Sequence, residues 1–66
     1  MQMLSVRSET IDVIGYDAHN HRLRVCFRHA KPQDFCHVPA ELFQAFLNAR
    51  SKSRFFRRHI QDCFPS

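Results

Sequence analysis

Apolar residues along this chain recur with a period of two up to about Cys36 and with a period near four from Pro39 onward. That change divides it into a sheet-forming half and a helix-forming half. The clearest strand is Arg22 to Arg28, RLRVCFR, where Leu23, Val25 and Phe27 alternate with Arg22, Arg24, Cys26 and Arg28. Thr10 to Tyr16, TIDVIGY, is rich in β-branched residues and predicts another strand. Strict alternation there turns Ile11 and Val13 inward and Ile14 outward, unless Ile14 covers the second face or a bulge near Gly15 re-aims the chain. The polar DAHNH from Asp17 to His21 suits a hairpin loop, with Asn20 tolerant of positive φ. After a turn at His29 to Pro32, Gln33 to Cys36 predicts a short third strand with Phe35 inward.

Pro39 suits a first helical position, and Glu41 complements the helix dipole. Leu42, Phe43, Phe46 and Leu47 then give one wide apolar face to a helix from Pro39 to about Ala49. A second helix, capped by Ser51 or Ser53 and stopped at Pro65, places Phe56, Ile60, Cys63 and Phe64 on one stripe with Phe55 and His59 at its edge. Residues 1 to 8 show no clear pattern and are expected to be a lead-in. The predicted class is therefore α+β: a three-stranded antiparallel meander with two C-terminal helices on one face, βββαα. One domain spans 5–64, with 1–4 and 65–66 as tails.

Charge sharpens this picture. Of the ten Lys and Arg residues, Arg50, Lys52, Arg54, Arg57 and Arg58 lie in one segment without any acid, while the other five face all six Asp and Glu residues elsewhere, so the formal +4 arises from the segment Arg50 to Arg58. Arg22, Arg24 and Arg28 line up on the open face of their strand, where alternate residues repeat at about 6.6 Å, close to the phosphate spacing of a nucleic-acid strand. A solubilising, pairing-resistant strand face explains the same three residues. Tyr16 can stack on a base if exposed, or serve as a turn or core anchor.

Sixty-six residues form two layers but supply too little wall for a buried catalytic cleft, which argues against an enzyme. Cys26, Cys36 and Cys63 are too few and too dispersed for a disulfide framework; reduced thiols and a cytoplasmic setting are expected, with a Cys26–Cys36 bridge conditional on strand register. Five His and three Cys residues lack metal-ligand spacing, so neither metal nor cofactor is expected. No apolar run approaches the ~20 residues of a membrane span.

The segments IDVIGYD (11 to 17), LRVCF (23 to 27), VPAELFQAFLNARS (38 to 51) and RFFRRHI (54 to 60) together resemble the KTSC domain family, roughly from Ser5 to Phe64. The family occurs as short bacterial and phage proteins and at the C-terminus of some lysyl-tRNA synthetases, and that association implies contact with RNA. Two departures stand out. The family's central Y-x-Y falls on Gln33-Asp34-Phe35, leaving one aromatic, and the usual glycines are replaced at Ala30-Lys31-Pro32 and Ser53-Arg54. Residues and resemblance together predict a small binding domain for RNA, tRNA or another nucleic acid, acting as a monomer or homodimer. The alternative is a protein-interaction module, in which the sheet edge at the first strand, Thr10 to Tyr16, or at the third, Gln33 to Cys36, takes an added strand or the basic helix docks on an acidic partner.

Overall fold

In the computed structural model, which describes residues 2–65, the order is β1 (Gln2–Ser5), β2 (Ile11–Asp17), β3 (Arg22–Phe27), β4 (Gln33–Phe35), α1 (Ala40–Asn48) and α2 (Lys52–Phe55), the last continuing directly into one π-helical turn, Phe56–Ile60. The four strands form an antiparallel sheet in chain order. The helices share one face, because a single core joins Ile11, Ile14, Leu23, Val25 and Phe35 of the sheet to Val38, Phe43, Phe46, Phe56 and Ile60. The predicted α+β class holds, with one strand more than expected.

That extra strand is β1. Met3 pairs with Gly15, Leu4 with Ile14 and Ser5 with Val13, so the expected lead-in extends the sheet, and Leu4 and Val6 pack against the core. Met1 and Ser66 lie outside the described residues. Four residues are too few to announce a strand by period, and only pairing with β2 satisfies their backbone.

The conflict over Ile14 is resolved by a bulge, placed at Asp12 and not near Gly15. Ile11 opposes Phe27 while Val13 opposes Cys26, so one extra residue enters β2. It flips the parity of the strand: Ile11 and Ile14 are both buried, and Asp12 is exposed. Gly15 remains in the regular ladder between Met3 and Arg24.

Leu23, Val25 and Phe35 turn inward as expected, and Phe27 meets the edge of Phe56 at a centroid distance of 5.3 Å. In the β2–β3 hairpin, Asp17 accepts hydrogen bonds from the His19 and Asn20 amides and from the Asn20 side chain, while the residue at positive φ is His21, at 55°, not Asn20. The Asp17 contacts hold Asn20 inside the turn, so the left-handed residue falls one position later.

Pro39 stands just before α1, where its carbonyl accepts from the Leu42 and Phe43 amides. Ser51, not Ser53, caps α2 by accepting from the Arg54 amide. The final helix ends at Ile60, not near Phe64. The Gln61 amide reaches back five residues to the Phe56 carbonyl, 2.7 Å, and Asp62 adopts φ 62°. The chain therefore leaves the helical path before Cys63, which is exposed and not part of the packing stripe; Phe64 returns to the core margin, and the Cys36 amide donates to the Pro65 carbonyl at 2.7 Å.

Register also decides the cysteines. Leu23 opposes Phe35 and Val25 opposes Gln33, so Cys36 lies beyond one end of the β3–β4 ladder and Cys26 beyond the other, roughly 13 Å apart along the strands. A Cys26–Cys36 bridge is sterically impossible in this fold.

Candidate polyanion-binding surface

The terminal helix packs through Phe56 and Ile60, four residues apart and both buried, which turns Arg54, Arg57 and Arg58 to solvent. These three arginines line one open concavity. Among the described residues none of them has a carboxylate within ion-pair distance.

Arg50 and Lys52, expected on the same patch, sit in a different concavity with Arg7, Ser8, Glu9, Ser51 and Ser53. The Lys52 ammonium donates to the Ala49 carbonyl at 2.6 Å, closing the end of α1. The predicted five-residue patch is thus divided between two hollows, one lined by Arg54, Arg57 and Arg58 and one at the entry of the helix. Arg7 joins this hollow from a patternless segment forty-three residues before Arg50, where no local signal in the sequence marks it.

The strand arginines are arranged differently. Arg24 donates from Nε to Asp34 Oδ1 at 2.7 Å and from Nη2 to Asp34 Oδ2 at 3.0 Å. Arg28 lies 3.8 Å from Asp12 Oδ1 and donates to the Ser8 carbonyl at 3.0 Å. The expectation of a row of arginines available to phosphate therefore fails at Arg24 and Arg28: the cross-strand register sets Arg24 opposite Asp34, and the β2 bulge exposes Asp12 beside Arg28. Arg22 is exposed, opposite Asp17.

The hydrogen bonds of Arg24 hold the Asp34 carboxyl below the usual carboxylate range, with partial burial working the other way, and Asp34 raises Arg24 in turn. Because the folded value of Asp34 is depressed, its contribution to stability is present above the ordinary carboxylate pKa and fades as pH falls through the depressed one. Both side chains are about half exposed, so solvent keeps the effect small. The Asp34 carboxyl resonance should titrate below those of unpaired aspartates and move upward in an Arg24→Gln variant; an unchanged midpoint means the pair does not persist in solution.

Tyr16 has one ring face taken up inside the fold. Its ring lies against Phe43, centroids 4.7 Å apart and planes at 12°, and its hydroxyl donates to the Val38 carbonyl at 2.6 Å. Burial pushes its phenol above the ordinary value, with Glu41 and Asp17 adding to the shift. It ties the β2–β3 sheet to the entry of α1. Removing the hydroxyl in Tyr16→Phe should cost about 0.5–1.5 kcal/mol in urea unfolding without weakening polyanion binding.

Four antiparallel strands with two helices on one face, and a cationic helix opening to solvent, define a small α+β surface domain. The chain belongs to the KTSC domain family, whose model matches residues 7–64. The crystal structure of a KTSC domain protein from Yersinia pestis is similar to it with a TM-score of 0.95 at 38% sequence identity, over 97% of this chain and 90% of that one. No curated protein matches the chain significantly. Among the described residues, no helix is long and apolar enough to cross a membrane.

Proposed function

We propose that this protein is a small non-enzymatic domain of the cytoplasm that binds RNA, or a related polyanion, through its terminal helix. The observation that supports the reading is the contrast between the arginines: Arg24 and Arg28 lie beside aspartates, whereas Arg54, Arg57 and Arg58 share a concavity without a carboxylate partner among the described residues. Holding three like charges together serves no folding purpose, since like charges repel. A phosphate chain relieves that repulsion and releases its own counterions. Arg50 and Lys52 extend the surface toward the start of the helix.

Binding of this kind depends on salt with a slope of about −0.7 per phosphate neutralised on a single strand. Three arginines alone then predict about 20-fold weaker binding at 200 mM than at 50 mM salt. Fluorescence titration of labelled tRNA, single-stranded RNA and duplex DNA at these two concentrations tests the reading. Absence of saturable binding at 50 mM would overturn it.

Protein interaction is the second reading, and one observation favours it. The outer edge of β1 is unpaired among the described residues, and Met3 beside it is 42% exposed. The edge expected at the strand Thr10 to Tyr16 is not one, because β1 covers it; β4, the other edge, is only three residues long, and the Cys36 amide just past it is already taken by the Pro65 carbonyl. A homodimer or an added peptide strand would therefore form on β1.

A further inference from the structure

The hollow between residues 7–9 and 50–53 is built from the β1–β2 loop and the entry of α2, two segments distant in sequence. A chain of hydroxyls holds them together: Ser53 Oγ lies 2.8 Å from Thr10 Oγ1 and 3.3 Å from Ser8 Oγ. Ser8 Oγ already accepts from the Thr10 and Ile11 amides, at 3.3 and 3.2 Å, so its proton is the one directed at Ser53. Three hydroxyls bring three protons and form two bonds among themselves, which leaves one O–H, on Ser53 or Thr10, to donate elsewhere.

The rest of the hollow is equally rich in donors. Ser51 Oγ accepts from the Arg54 amide, so its own proton is unspent. The Lys52 ammonium commits one of its N–H groups to Ala49 and keeps the others. Arg7 and Arg50 are exposed, and among the described residues neither has a carboxylate within ion-pair distance. Against these donors stands a single acid, Glu9. An occupant must be anionic, strongly accepting and without donors of its own, which describes a phosphodiester better than a carboxylate peptide, whose backbone amides would find few acceptors here.

We propose that this hollow is a second phosphate site, so that a single nucleic-acid strand held at Arg54, Arg57 and Arg58 continues along the helix to Arg7, Arg50 and Lys52. The inference rests on the polyanion reading and extends it to a residue, Arg7, outside the terminal helix. Glu9 opposes the ligand and limits its affinity. The Ser8–Ser53–Thr10 bonds are positioning contacts that keep Arg7 against the helix start.

The test uses the full chain and a labelled oligouridylate, titrated from 50 to 200 mM salt with the parent, Arg7→Ala, Arg7→Lys and Glu9→Gln. With both hollows engaged, the parent slope should be about −4, against about −2 for the arginine concavity alone. Arg7→Ala should reduce the magnitude of that slope by about 0.7 and weaken binding several-fold at 50 mM; Arg7→Lys should restore most of both. Glu9→Gln should tighten binding, an effect that a purely structural role for the loop does not produce. A parent slope near −2, with Arg7→Ala and Glu9→Gln both at parental affinity, overturns the second site and leaves the helix reading standing. No binding of the parent at 50 mM overturns both.

Discussion

Phe56→Ala should abolish cooperative thermal unfolding, or lower the midpoint so far that much of the protein is unfolded at 37 °C. Phe56 is 6% exposed and meets Phe27 and Phe35 edge-on, at 5.3 and 5.7 Å, so one ring joins the terminal helix to β3 and β4. Truncating such a ring costs about 3–5 kcal/mol from lost transfer energy and the cavity left behind. At roughly 0.05–0.15 kcal/mol per residue, a domain of this size holds only about 3–10 kcal/mol in total. Phe55→Ala is the control. That ring is half-buried, between Phe46 and His59, and its loss should be clearly milder. Equal melts for the two variants would show that the last helix is not anchored through Phe56.

Reversing Arg54, Arg57 and Arg58 to glutamate should remove polyanion binding while the fold survives. All three are exposed, and no ion pair is broken among the described residues. Each reversal changes the charge by two, so the formal +4 becomes −2; the concavity then repels phosphate. Bulk charge alone does not explain the expected loss if Lys31→Glu, at an exposed position outside both hollows, leaves affinity within about threefold at 50 mM salt, an allowance for long-range screening. The melting curve of the triple variant, matched to the parent, separates lost contact from lost structure. Retained binding at parental affinity in the triple variant would remove the terminal helix from the interface.

The legible parts of this fold are those in which side chains report their surroundings locally. Leu23, Val25 and Phe27 alternate, and the structure buries them or packs them on the core; Phe43 and Phe46, then Phe56 and Ile60, carry the helical period and occupy the core. Charge segregation along Arg50 to Arg58 was equally plain. The features that escaped depend on partners distant in the chain. β1 exists through pairing with β2, and the bulge at Asp12 follows from aligning Ile11 with Phe27 and Val13 with Cys26. The apolar stripe continues to Phe64 in the sequence and predicts a longer helix, whereas the π turn and the positive φ at Asp62 turn the chain back toward β4.

The same division runs through the candidate site. A sequence determines which residues carry charge and, through its periods, which face of a local element they occupy; it therefore established a packed helix with arginines opposite its apolar side. Which arginines lie beside acids is a matter of register and loop docking. Only tertiary structure set Asp34 beside Arg24 and Asp12 beside Arg28, withdrew Tyr16 onto Phe43, and brought Arg7 to Arg50 through the hydroxyls of Ser8, Thr10 and Ser53. The reason is range: a period of two or four residues is written into neighbouring positions, whereas electrostatic pairing depends on distances that exist only once the sheet has closed.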